Sequence, residues 1–326
     1  MGDVLRYRIP NASAVVSTGV FKKVHSILDA SGFFVSDFEK ENVFVFEEKD
    51  LSESFSYSKD SIEEQTKDDY LIAAAEFLSN IQREKLNKAI FSRVKMVQQK
   101  VNEIELFNAL CEKYESAFVY LISSELFGTW IGATPEVLIQ RKGTSAHTMS
   151  LAGTLPSNSP MGWSSKELDE QGFVTEFIHS QLIERNVQEL VQSELKTVVA
   201  GPVKHLRTDF NFNLSEKNVL ELAASLHPTP AVSGLPRREA IQLINRLEKH
   251  KRNFYTGIIG VQNAQDSNIF VNLRCAQVFE SNIALYLGGG FTQDSNILKE
   301  WEETEVKAAT LLEVIEKLQN YYDINR

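Results

Sequence analysis

Cysteine is nearly absent from this chain: Cys111 and Cys275 are the only two in 326 residues. One lies in a helical pattern and the other in a strand pattern, which excludes a disulfide framework or a cysteine metal site. They read as small buried residues in a reducing compartment. Long apolar runs are missing too, none approaching the roughly 18 residues a spanning helix needs. The start, Met1-Gly2-Asp3-Val4-Leu5-Arg6, has no apolar signal region and carries Arg where a myristoylation signal has Ser or Thr. A cytoplasmic location with no membrane partner is therefore expected. Basic clusters are also lacking, and the net charge is −10, which argues against nucleic acid or an anionic membrane as partner. An anionic substrate would have to meet local positive charge. Glycine-rich nucleotide fingerprints, Walker loops, Cys-x-x-Cys, His-Glu-x-x-His and Gly-x-Ser-x-Gly are all absent, as are repeats and heptads, so nucleotide, zinc and serine-hydrolase chemistry find no local support.

What is present is an ordinary globular composition, 43% hydrophobic and 24% charged, long enough for one large or two medium domains. Residues 1–60 alternate short apolar runs such as Val43-Phe44-Val45-Phe46 with polar connections and read as strands and loops; residues 50–69 form the most polar stretch, a loop or linker. The periodicity predicts helices over 70–81, 101–114, 164–193, 217–226 and 236–249, and strands over 117–122 and 197–203; over 88–97 Lys88, Ile90 and Ser92 share one face of a strand, although periodicity alone also admits a helix. Three further strand-like runs, 254–262, 269–279 and 283–287, look like an antiparallel meander.

The run Leu287-Gly288-Gly289-Gly290-Phe291 reads as a strand ending in three glycines, followed by Asp294-Ser295-Asn296 and a long helix. Glycines and a helix N-terminus suit an anion, yet the helix carries acids. Glu303 and Lys307 fall within about 60° of Glu300 on a helical wheel, on the line continued by Leu311, Val314 and Leu318, whereas Glu302 and Glu305 point to water. Acids in a first turn also offset the helix dipole, which accounts for Glu300 and Glu302 but not for Glu303 and Lys307 continuing the apolar stripe. In the helix from residue 164, Glu170 lies on the apolar side with Phe173, Val174 and Phe177, opposite Asp169 and Glu176; an inward glutamate of this kind is either salt-bridged or functional. Lys88 opens a strand, where lysine is ordinarily exposed. Arg274 sits inside an apolar strand as a snorkelling edge residue or a buried anion ligand. His227 stands where a helix stops, held by prolines on either side of Thr229, and a lone histidine is more often structural than functional. Several carboxylates beside an anion site suit Mg²⁺, which takes oxygen ligands and commonly bridges protein carboxylates to an anionic substrate.

The segments Lys88-Ala-Ile-Phe-Ser-Arg93, Gly132-Ala-Thr-Pro-Glu136, Leu151-Ala-Gly-Thr154, Lys166-Glu-Leu-Asp-Glu170, Leu226-His-Pro-Thr-Pro-Ala-Val232, Tyr255-Thr-Gly-Ile-Ile-Gly260, Asn272-Leu-Arg-Cys275, Gly288-Gly-Gly290 and Glu300-Trp-Glu-Glu303 with Lys307 resemble those of the chorismate-utilising enzymes, most closely the isochorismate synthases. They occur in family order over about residues 84–318. The first eighty residues look like an abbreviated N-terminal region packed on that catalytic core, so that 1–326 forms one chorismate-binding domain. The resemblance implies an α/β fold of α+β type, antiparallel sheets sandwiched between helical layers, and a Mg²⁺-dependent reaction in which water adds at ring C2 of chorismate while the C4 hydroxyl leaves. It further implies Lys88 as general base and Glu136 as general acid, with Glu170, Glu303 and Glu300 at the metal. Arg274, Lys307 and the backbone at Gly289 and Gly290 would take the enolpyruvyl carboxylate, and His227 and Thr154 would orient the ring. For these roles Lys88 must be neutral and Glu136 protonated, which a closed, dry site would favour.

Anthranilate synthases, which use ammonia, generally lack the lysine at position 88, and aminodeoxychorismate synthases usually carry a second lysine where this chain has Ala152. Water is the expected nucleophile, and no glutamine amidotransferase subunit is expected. Salicylate synthases share Lys88 and then eliminate pyruvate, which makes them the main alternative. A non-catalytic chorismate-binding relative would be expected to have lost a carboxylate or the base, and here all are present.

Overall fold

A computed structural model of the chain describes residues 1–59, 62 and 64–324. The first strands are β1 (Asp3–Arg8), β2 (Val15–Val24), β3 (Gly32–Ser36) and β4 (Val43–Glu48), followed by helix α1 (Lys67–Glu84), β5 (Lys88–Val97) and α2 (Glu103–Lys113). Next come β6 (Phe118–Ser124), β7 (Gly128–Thr134), β8 (Val137–Lys142), β9 (Ser145–Pro156), α3 (Ser165–Glu184), β10 (Gln188–Gln192), β11 (Lys196–Ala200) and β12 (Val203–Asn213). The remainder is α4 (Val219–Leu226), the two-residue β13 (Gly234–Leu235), α5 (Arg237–Leu247), β14 (Ile258–Gln262), β15 (Asp266–Val271), β16 (Cys275–Val278), β17 (Ile283–Phe291) and α6 (Ile297–Ile324).

Every ladder between these strands is antiparallel. One half runs β13-β5-β17-β16-β7-β6-β1-β2 and continues through β4-β3-β14-β15-β8-β9-β12. β10 and β11 pair with β12. The ribbon turns back on itself, because Phe118, Tyr120, Trp130 and Tyr286 from the first half share one core with Val35, Met149, Leu151 and Phe270 from the second. The outer face of the first half, with Val119, Leu121, Ile131 and Leu285, is covered by α2 and α6, and α1 and α5 pack beside it over Phe91. The outer face of the second half is covered by α3 and α4. The architecture is thus helix, sheet, sheet, helix.

The seven residues of β6 are all buried because alternate side chains enter the inter-sheet core and the helical layer. The same reasoning applies to β17. The N-terminal strands belong to this frame: β1 pairs with β6, and β3 with β14.

Four expectations are corrected. The helix from residue 165 stops at Glu184, where Asn186 takes a left-handed φ of 51°, a conformation asparagine tolerates at helix ends. The expected strand over 197–203 is instead β11 and β12, joined by a turn at Gly201 with φ 63°. The meander is broken at Asn272–Arg274: β15 turns to β8 and β16 to β7. Lastly, the three glycines do not end a strand. Gly288, Gly289 and Gly290 pair in register with Ser92, Phe91 and Ile90 inside the β17–β5 ladder.

Strand β5 is pinned by a buried ion pair. Arg252 Nη2 lies 2.6 Å from Glu248 Oε1, and that oxygen accepts from the Ser92 amide and hydroxyl at 2.8 and 2.7 Å, while Arg252 Nη2 donates to Ile90 O at 3.0 Å. Removing one partner strands the other charge in the interior, which costs about 3–5 kcal/mol. Arg252→Met is expected to lower unfolding free energy by that amount in urea titration, whereas an exposed arginine such as Arg83 replaced likewise should change it by less than about 1 kcal/mol.

Candidate active site

A cleft of ≈ 700 Å³, counting its open mouth, lies between the ends of the sheets, within the size range of small-molecule sites. Lys88 and Ile90 of β5, the Pro135-Glu136 link between β7 and β8, the end of β9, Glu170 of α3 and His205 of β12 line it. Tyr255, Thr256, Leu273, Arg274, Gly288–Gly290 of β17 and Lys307 of α6 complete the wall.

Lys88 is 0% exposed, contrary to the ordinary fate of a lysine opening a strand. Its Nζ stands 2.8 Å from Glu170 Oε1, an ion contact that is not aligned as a hydrogen bond. Glu136 is 5% exposed and held by its backbone, whose carbonyl accepts from the Val271 amide at 3.0 Å. Burial pushes its carboxyl up from 4.5 to about 7, although Lys88, Lys307 and Arg274 pull the other way. The cleft therefore pairs an amine with a carboxylic acid that holds its proton near neutrality.

Arg274 occupies the break between β15 and β16 with φ 49° and is buried, so it is not a snorkelling edge residue of a continuous strand. Asn272 fixes the break, accepting from Tyr120 Oη and donating to Phe254 O, both at 2.8 Å. The guanidinium donates to Thr310 Oγ1 at 3.0 Å and lies 3.3 Å from His205 Nε2. His205 Nδ1 faces Gly153 O at 2.9 Å, so Nδ1 carries the proton and Nε2 accepts from Arg274. Burial, with the charges of Arg274 and Lys307, lowers the imidazole to about 3 and keeps it neutral. Gly153 is the extra residue of a β-bulge opposite His205, with φ 67°, and the bulge places Thr154 Oγ1 3.3 Å from the same ring nitrogen. Lys307 Nζ donates to Gly288 O at 2.9 Å and to Glu303 Oε1 at 2.6 Å.

The glycines of β17 are required by close approach. A Cβ on Gly288 would lie 2.6 Å from Tyr255 Oη, one on Gly289 3.3 Å from Glu300 Oε2, and one on Gly290 would overlap Glu170 Oε1 and reach within 3.2 Å of Lys88 Cε. Gly290→Ala is expected to keep the fold but displace Glu170 and Lys88, lowering turnover about 10²-fold, as misplacement by about 1 Å does; an unchanged rate with unchanged melting would contradict this.

Glu300 is 1% exposed; its Oε1 takes Ser295 Oγ at 2.8 Å and the Lys166 ammonium, while Oε2 has no partner. Burial first, then the charge of Glu303, raises its carboxyl to about 7. Glu302 faces water as expected, and Glu305, its side chain 36% exposed, does so while also receiving Arg93 and, at 2.5 Å, Lys95. Among the described residues no three His, Cys, Asp or Glu side chains already stand in metal-ligand geometry. The donor chemistry nonetheless fits a hard divalent cation: carboxylates on two facing helices, one buried oxygen unsatisfied, and lysines supplying the positive charge.

Of the sequence-predicted residues, Lys88, Glu136, Thr154, Glu170, Arg274, Gly289, Gly290 and Lys307 line the cleft. Glu300 and Glu303 lie behind it, Glu300 against Gly289 and Glu303 on Lys307. His227 is elsewhere. Its Nε2 lies 3.1 Å from Phe38 O, its carbonyl accepts from Lys40 at 2.9 Å, and burial lowers it to about 3, so it is a core histidine. The histidine of the cleft is His205, which the periodicity left out because the strand was ended at residue 203. Tyr255 and Lys166 stood in quoted motifs without a role.

An antiparallel sandwich gathers a buried lysine, a glutamic acid whose carboxyl is pushed up to about 7 and the cationic side chains of Arg274 and Lys307 around one cleft, a lining suited to a small anionic molecule. The chain belongs to the chorismate binding enzyme family, whose model matches residues 34–316. It is 33% identical over 199 residues to isochorismate synthase EntC of Escherichia coli K12, covering 57% of this chain and 51% of that protein, and 27% identical over 301 residues to isochorismate synthase MenF of Bacillus subtilis, covering 88% and 61%. The chain thus spans about half the length of EntC. In fold it is similar to DhbC from Bacillus anthracis, described as a 2,3-dihydroxybenzoate-specific isochorismate synthase, with TM-score 0.82 at 24% identity over 96% of both chains. It is also similar to the menaquinone-specific isochorismate synthase MenF from Escherichia coli, TM-score 0.78 at 20% identity over 96% of this chain and 88% of that one.

Proposed function

We propose that the chain is an isochorismate synthase, a hydroxymutase that adds water at C2 of chorismate and expels the C4 hydroxyl. The observation that carries this reading is the pairing in one cleft of a fully buried lysine with a glutamic acid held up to about 7. Lys88, as free amine, takes the proton of the attacking water. Glu136 gives its proton to the departing hydroxyl. Water in, hydroxide plus that proton out, leaves the substrate's formula unchanged. Arg274 and Lys307 bind a substrate carboxylate, Arg274 being aimed by the neutral His205 and by Thr310. His205 also replaces His227 in our assignment, with Thr154, of the residues that orient the ring. Glu170, Glu300 and Glu303 would hold Mg²⁺, which when bound would neutralise the second carboxylate of the substrate.

The test is incubation of the purified chain with chorismate and Mg²⁺, with and without ammonium, followed by chromatography. Isochorismate as sole product, dependent on Mg²⁺ and indifferent to ammonium, is expected. Salicylate with pyruvate would replace the proposal with salicylate synthase, and chorismate binding without turnover would leave a non-catalytic relative.

A further inference from the structure

Three carboxylates near the cleft are each engaged by one lysine: Glu170 by Lys88 at 2.8 Å, Glu303 by Lys307 at 2.6 Å, and Glu300 by Lys166. Lys88 and Lys307 line the cleft and have work there, but Lys166 is outside its lining. It stands one helical turn before Glu170 in the first turn of α3, and the charges of Glu300, Glu170 and Glu303 all act on its ammonium. Its side chain is 25% exposed, against 18% for that of Lys307 and 1% for that of Lys88, so it is the most open of the three to water and the one without a place in the cleft. A second observation is an unpartnered oxygen. Glu300 Oε2 is buried, has no hydrogen-bond partner, and is the oxygen turned toward Gly289 on the cleft wall.

We propose that Lys166 is a tethered counter-cation of this carboxylate cluster, competing with a divalent metal ion and making tight ion binding depend on the substrate. The inference rests on the reading that these carboxylates hold such an ion. In the resting protein, before Lys88 gives up its proton to become the base, three ammonium groups offset three carboxylates, and a divalent ion brought in alone adds two uncompensated positive charges in a buried place. A dicarboxylate arriving with the ion restores neutrality. Without the charge of Lys166 the cluster carries one negative charge and attracts the ion by itself. In the unmodified protein the lysine swings out or shares Glu300 as the ion enters.

The experiment is a titration of the full chain with Mn²⁺, free ion being followed by electron paramagnetic resonance, with and without chorismate. Lys166→Met and Lys166→Gln are expected to bind Mn²⁺ at least tenfold more tightly than the parent in the absence of chorismate, and to lose most of the enhancement chorismate gives the parent. Lys166→Arg, which keeps the charge, should resemble the parent. Two uncharged variants with melting temperatures near the parent's exclude a folding artefact. Equal or weaker Mn²⁺ binding by both uncharged variants overturns the role of Lys166 while leaving the metal site intact. Absence of Mn²⁺ binding by every protein, with chorismate present, overturns the metal-site reading and this proposal with it.

Discussion

Replacing Lys88 by alanine is expected to lower kcat by about 10²–10⁴-fold, the range a general base contributes, while chorismate still binds within a few-fold of the parent affinity. The two effects separate because the substrate carboxylates are assigned to Arg274, Lys307 and the metal rather than to Lys88. The substitution opens space beside Gly290 and leaves Glu170 without its ion contact, so Lys88→Gln, closer in size, serves as a second variant. Single-turnover kinetics gives the chemical step and calorimetry the binding. A rate within tenfold of the parent in both variants would remove Lys88 from the base role.

Glu136→Gln is expected to be comparably severe and to change the pH profile. The acid must be protonated, and its carboxyl titrates at about 7, so kcat/KM of the parent should fall tenfold per pH unit above that value on the acid's account. The glutamine variant should be slow and lack this limb. Linkage gives an independent sign. Between 4.5, the ordinary value, and about 7 the folded chain binds more protons at Glu136 than the unfolded chain does, so stability is lost as pH rises through that window. Glutamine abolishes the loss, and at pH 8 the variant should unfold at equal or higher urea concentration than the parent. An inactive variant that is also markedly less stable would point to a packing role for Glu136.

Much of this arrangement was legible because burial leaves a period in the sequence. The helical wheel turns Glu170 and Glu300 inward, and both are buried; the run at 117–122 reads as a strand, and the period-2 face of Lys88, Ile90 and Ser92, which by itself also admits a helix, belongs to strand β5. What escaped was set by partners distant in sequence. Three consecutive glycines read locally as the end of a strand, whereas their neighbours Tyr255, Glu300 and Glu170 make them a thin place in one. The apolar run around Arg274 reads as continuous, since nothing local announces a left-handed arginine held through Asn272. Lys88 and His205 needed tertiary information, and for Lys88 the family resemblance supplied it. For His227 the residue reading, that a lone histidine is more often structural, agrees with its place beside the Phe38 carbonyl, and it is the family resemblance that gives it a role in the cleft.

The position of β17 between β5 and β16 also fixes when the site can exist. Its pairing of Gly290 with Ile90 is among the most non-local in the chain, the kind of contact whose loop-closure entropy makes a topology slow to fold. The floor of the cleft and the close packing around Glu170 are thus completed only when the last strand in sequence inserts. Until β17 is made, any strand formed by residues 88–97 lacks this native partner, and an unpaired edge is a site of mispairing. A ligand that recognises only the finished cleft draws the equilibrium toward the closed sheet by mass action, so chorismate, the proposed substrate, should also act as a folding ligand.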